Sequence, residues 1–141
     1  MQTELVEASF HGAQYTFSPV DTSTVTKQQG ENARGLAIIQ VAPIPSGMWV
    51  KVVAKYLDAL KALDRGSPSF YGLEAFIEAK VLVEGLKRAG PKPTPVSLVK
   101  GLETMHDFDL GGYYVGYKPE AHTGSLFVEI DMINYAGIVS R

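Results

Sequence analysis

The chain has no cysteine among its 141 residues. That excludes thiol catalysis, thiolate metal sites, iron–sulfur clusters and a disulfide framework, and it leaves the compartment open because many exported proteins also lack the residue. Histidine is scarce. His11, His106 and His122 fall in three predicted loops with no ligand spacing, so they read as surface or hydrogen-bonded loop residues and no metal is expected. Long apolar runs are missing as well: Leu36 to Ile39 and Val81 to Val83 fall far short of the roughly 20 residues that a membrane-spanning helix needs. Neither sign of charge dominates. Thirteen Lys plus Arg against fifteen Asp plus Glu give a net charge of -2, with no basic stripe for nucleic acid. Residues Met1 to Ala8 lack a basic and then apolar leader pattern, so no export signal is expected in the chain as written. Catalytic signatures are absent too: no nucleophile elbow, phosphate loop, His-Glu-x-x-His or dinucleotide fingerprint occurs. The chain reads as a non-enzyme without a cofactor.

What is present is an ordinary globular balance, 45% apolar and 20% charged with 14 Gly and 8 Pro, enough for one compact domain. Ala13 to Phe17 reads as a strand, followed by the turn and cap cluster Ser18 to Ser23 and a weak helix to about Asn32. Leu36 to Val41 is a nearly continuous apolar run, as in a strand buried on both faces. Two prolines in Ala42 to Gly47 bar both helix and central strand, which makes this a crossover or hinge. From Met48 to Leu63, Trp49, Val52, Val53, Tyr56, Leu57, Leu60 and Leu63 recur at helical spacing and form a buried stripe. A longer helix from Ser69 to Ala89 is apolar most of the way round and ends at Gly90, which predicts two packing partners. Thr94 and Pro95 open a third helix with Leu98, Val99, Leu102 and Met105 as its stripe. The last third changes period: Tyr113 to Tyr117 and Leu126 to Met132 read as two antiparallel strands, with a further short strand within Tyr135 to Val139.

Polar residues stand where ligands of open α/β sheets bind, beyond the carboxyl end of a strand and beside a helix start. One place is the loop Ser18 to Ser23; the other is Ser69-Phe70-Tyr71. Hydroxyls next to free amides suit a carboxylate, and an aromatic ring offers an apolar wall. The structural alternatives are Ser18 and Thr22 as helix caps and Phe70 and Tyr71 as core. Glu74 and Glu78, one turn apart, read as a solvated face, as does Glu103 on the third helix; Asp107 and Asp109 read as loop residues.

The stretch from Tyr71 to Gly90, then Pro93-Thr94 leading to Leu98 to Met105, Phe108 to Gly112 and His122 to Ser125, resembles the C-terminal part of the branched-chain amino acid binding proteins. These are type I periplasmic substrate-binding proteins of ABC transporters. Gln14 to Ser18 resembles their strand leading to the ligand loop, and Gly35 to Pro43 the strand that runs into the hinge. The resemblance implies a partial α/β fold of that type: an open sheet with helices packed on it plus a C-terminal antiparallel strand pair. Residues 1–45 correspond to a remnant of the second lobe with its hinge at 42–47, and residues 46–141 to a segment of the first lobe and hinge. Family members are more than twice as long, and Leu5 to Phe10 resembles the end of a helix whose earlier turns are missing, so a truncated gene or a processed piece is expected.

In that family the solute sits in a cleft between two lobes, and closure presents a surface to the permease. By position, Ser18 falls in the loop that holds the ligand's amino acid head, with Asp21 and Thr22 beside it, and Tyr71 falls at an aromatic wall with Phe70 and Glu74 as neighbours. Some leucine-type binders carry a Glu where this chain has Ser18. The resemblance therefore implies a receptor segment for branched-chain amino acids or similar small carboxylates and amides, periplasmic by kinship and cytoplasmic if expressed as written. Isolated, it is expected to bind weakly or not at all, with an ABC permease as the parent family's partner and self-association through uncovered apolar surface. The rival reading is a standalone interaction or structural protein that has lost solute binding.

Overall fold

A computed structural model describes residues 4, 12–18, 22–64 and 66–140. The expected helix end at 5–10, together with His11 and Asp21, lies outside the described residues. Where the sequence reads as one compact domain, the chain divides into two compact units, Met1–Val41 with Val128–Arg141, and Ala42–Phe127.

The first unit holds a four-stranded sheet in the order β1-β2-β5-β6. β1 (Gln14–Phe17) runs parallel to β2 (Leu36–Gln40), and between them lie α1 (Thr22–Gln29) and a 3-10 turn (Gly30–Ala33), so this is a β-α-β crossover. β5 (Glu129–Ile133) pairs antiparallel with β2, setting Ile38 opposite Asp131, and β6 (Val139–Ser140) folds back on β5. The reversal between them is local: Asn134 Oδ1 accepts the amides of Ala136 and Ile138 at 2.9 and 3.0 Å. Strand alternation puts Leu36, Ile38 and Ile133 on one face, where they pack with Ala33 and Val25. Tyr15, Phe17, Ile130 and Met132 stand on the other face, exposed.

The second unit is three helices and a short hairpin. α2 (Lys51–Leu63), α3 (Phe70–Ala89) and α4 (Pro95–Glu103) follow one another, and β3 (Phe108–Asp109) pairs antiparallel with β4 (Tyr114–Val115). Its core joins Ala42, Val52, Val53, Tyr56, Leu73, Ile77, Met105 and Tyr113 among others. α3 and α4 approach closely because both carry glycine at the contact. A Cβ on Gly101 would stand 2.8 Å from the carbonyl oxygen of Gly85, and one on Gly85 would stand 2.7 Å from Leu102 Cδ2. α4 opens with a full capping box: Thr94 Oγ1 accepts the Ser97 amide at 3.1 Å, and Ser97 Oγ accepts the Thr94 amide at 2.8 Å.

Three expectations are corrected. Tyr113 to Tyr117 and Leu126 to Met132 do not pair with each other: β4 pairs with β3 inside the second unit, whereas β5 pairs with β2 in the first. The antiparallel strand pair at the C-terminal end is β5 with β6. Helix α2 begins at Lys51, not Met48, so Trp49 lies before the helix and is 70% exposed, and Leu63 at the far end is exposed too. Finally, α3 has the two packing partners its wide apolar surface predicts, α2 and α4, but the apolar wrap is not fully used: it buries Phe70, Leu73, Ile77 and Gly85 and leaves Tyr71, Leu82, Val83 and Leu86 exposed.

Candidate functional site

The residues singled out in the sequence fall in both units, and each group has its own local setting. In the first unit Ser18 follows the carboxyl end of β1 and is half-buried. Thr22 is the first residue of α1, buried, and its carbonyl accepts the Thr26 hydroxyl at 3.0 Å. Asp21, predicted beside them, lies outside the described residues. A hydroxyl beyond a parallel strand and next to a helix start is a setting that suits an anionic group.

In the second unit the start of α3 is built by α2. Ser69 caps α3, its Oγ accepting the Gly72 amide at 3.1 Å, while the Ser69 amide donates to the Tyr56 hydroxyl at 3.2 Å. A Cβ at Gly72 would collide with that hydroxyl, so glycine is what lets Tyr56 reach the cap. Phe70 points inward and is buried; Tyr71, next along, is 48% exposed. Of the two aromatic candidates, Tyr71 therefore offers the accessible ring.

Glu74, read from the sequence as solvated, is half-buried, and its Oε1 is shielded with no hydrogen-bond partner among the described residues. Burial pushes its carboxyl above the usual carboxylate range, and the neighbouring Glu78 pushes the same way. Glu103 is likewise only half-exposed and meets His122, Nε2 to Oε1 at 3.1 Å.

Sequence reasoning missed a cleft of about 700 Å³ in the second unit, lined among others by His106, Asp107, Tyr114, Lys118, Ser125 and Phe127. No motif marks these positions; the β3–β4 hairpin and the segment after it bring them together. Nearby, burial raises the Tyr117 hydroxyl above its ordinary value, aided by Tyr113 and Glu78. Among the described residues no group of His, Asp and Glu could hold a metal ion, and no helix is long and apolar enough to cross a membrane.

No protein-family model matches the chain, and no curated protein matches it. Solved structures do. An extracellular ligand-binding receptor from Verminephrobacter eiseniae superposes over 99% of this chain with TM-score 0.85 and 27% identity, which covers 40% of that receptor. A substrate-binding periplasmic protein from Ralstonia solanacearum matches 94% of this chain with TM-score 0.83 and 30% identity, covering 39% of its own length. A leucine-binding protein from Thermotoga maritima matches 99% of the chain with TM-score 0.80 at 16% identity, again over 39% of its length. The chain thus spans about two-fifths of the receptors it matches.

Proposed function

We propose, for a chain that has the fold of part of a type I periplasmic substrate-binding protein, that it is a solute-binding segment of an ABC-transporter receptor and not an enzyme. The observation that supports this is the match over 99% of the chain, at TM-score 0.85, to an extracellular ligand-binding receptor. The solute class is a branched-chain amino acid or a similar small carboxylate or amide. In the first unit Ser18, Asp21 and Thr22 are the proposed contacts for a carboxylate or amide head. In the second, Tyr71 is the proposed apolar wall, with Phe70 and Glu74 as its neighbours. The partner of the whole receptor would be its ABC permease, and its place the periplasm.

The physics of such a receptor is enclosure. A small polar solute gains affinity from convergent groups in a closed, dry site, and a chain spanning two-fifths of the receptors it matches supplies only part of that closure. Isolated, it binds weakly, with a dissociation constant of about 1 mM or above. Titration of the isotope-labelled chain with leucine, an aromatic acid and an amide tests this. Saturable shifts at Ser18, Thr22 or Tyr71 in the millimolar range support the reading. Silence across the panel supports an interaction protein that has lost solute binding, and micromolar affinity would overturn the dependence on enclosure.

A further inference from the structure

Gln40, the last residue of β2, is fully buried, and neither its Oε1 nor its Nε2 has a hydrogen-bond partner among the described residues. A buried amide with both ends unmet is costly and uncommon in a folded chain, so it calls for a partner that arrives from outside.

Strand register sets its surroundings. Gln40 stands directly opposite Glu129 of β5, and Ile38, two residues back, stands opposite Asp131. Facing residues of an antiparallel pair share a face, with side chains about 5 Å apart, so Gln40, Glu129 and Asp131 gather on one face at the carboxyl end of β2. On the other flank Phe17 of β1 is level with Ile39, and the chain leaves β1 at Ser18 one step later, level with Gln40. Thr22 then opens α1. Ser18 and Glu129, to either side of Gln40, are only half-buried. Gln40 therefore lies beside the residues proposed to hold the solute's head, at the strand ends where ligands of α/β sheets bind.

What the amide lacks defines what it takes. A carboxamide brings a carbonyl and an N–H side by side, accepting from Nε2 and donating to Oε1, and so meets both ends at once. A carboxylate brings acceptors alone: it meets Nε2, sets its second oxygen against Oε1 and turns its charge toward two acidic residues. An ammonium group has only donors and leaves Nε2 unmet. We propose, on the solute-binding reading above, that Gln40 is a specificity-determining contact of that site and selects a solute with a neutral carboxamide head over the matching carboxylate.

Isovaleramide, isovalerate and isoamylamine carry one branched carbon chain with the three different heads. In titrations of the isotope-labelled chain the amide is expected to bind about tenfold more tightly than the other two, and to shift the side-chain NH2 signals of Gln40 together with the backbone signals of Ser18 and Thr22. Gln40→Leu is expected to erase that preference while leaving the affinity for isovalerate within about twofold. It is also expected to raise the melting temperature of the solute-free chain by about 3 °C, because an apolar side chain of similar size replaces an unmet buried amide. Gln40→Met repeats both measurements. A lower melting temperature in both variants would assign Gln40 a structural role and overturn the proposal. Shifts at Ser18 and Thr22 without a preference for the amide, or with the Gln40 NH2 signals unmoved, overturn it and leave the solute-binding reading intact. Silence of the whole chain toward all three probes overturns both.

Discussion

The Tyr56 hydroxyl accepts the backbone amide of Ser69 at 3.2 Å, thirteen residues along the chain, and so ties the middle of α2 to the residue that caps α3. The same serine accepts the Gly72 amide through its own Oγ, so a single small cluster sets where α3 begins and where Tyr71 is presented.

Removing the tyrosine oxygen with Tyr56→Phe is expected to cost about 0.5–1.5 kcal/mol, and Ser69→Ala about 1 kcal/mol. The two share one cluster, so their combined cost should be less than the sum. Urea unfolding of both single variants and the double variant checks this.

Gly72→Ala pits two effects against each other. Alanine gains roughly 1 kcal/mol of helix propensity, but its Cβ would collide with the Tyr56 hydroxyl and stand 3.0 Å from Ser69 Oγ. The collision is expected to win, giving net destabilisation in the native background. In the Tyr56→Phe background the obstructing oxygen is gone and the same substitution should become less harmful or stabilising. Comparing urea midpoints in the two backgrounds reads the difference.

Glu74 has a folded-state pKa raised above its unfolded value of 4.5, first by burial and then by Glu78. Its contribution to stability is therefore full below that value and is lost as pH rises through the folded pKa. Glu74→Gln is expected to raise the melting temperature at pH 7 and to leave it nearly unchanged at about pH 3. Melting curves at the two pH values decide it, and a gain of equal size at both would count against the burial explanation.

Asp109 works in the opposite direction. Its Oδ1 accepts the amides of Gly112 and Gly111 at 2.6 and 2.7 Å, which holds its pKa below the ordinary 3.8, with Lys51 and Lys55 adding to the effect. The stability it confers is present above the unfolded value and lost as pH falls through the folded one. Asp109→Asn keeps an acceptor oxygen but removes the charge, so it should flatten the acid limb of the stability curve. Equilibrium unfolding between about pH 2 and 5 measures that slope.

Much of this architecture is written locally. The period of Val52, Val53 and Tyr56, the Thr94-Pro95 start and the Gly90 stop place α2, α3 and α4 because helix signals lie within a few residues of one another. Strand partners are not local. Nothing near Glu129 to Ile133 specifies β2, some ninety residues earlier, as its partner, and the nearer Tyr114-Val115 pairs with Phe108-Asp109 through a short turn. Trp49 shows a second limit, since an apolar residue in helical phase joins the stripe only if the helix reaches it. For the candidate contacts, residue type and position pointed to Ser18, Thr22, Phe70 and Tyr71 and only the family resemblance added Glu74; burial then separated them, turning Phe70 inward and leaving Tyr71 accessible.

The sequence by itself determined the helices, their caps and the exclusion of thiol chemistry, because each depends on side chains and dihedrals of near neighbours. Only the tertiary structure decided which strands meet, which glutamate loses water and which face of α3 stays bare. Those outcomes depend on contacts between residues far apart in the chain, where geometry and desolvation, not local preference, set the free energy.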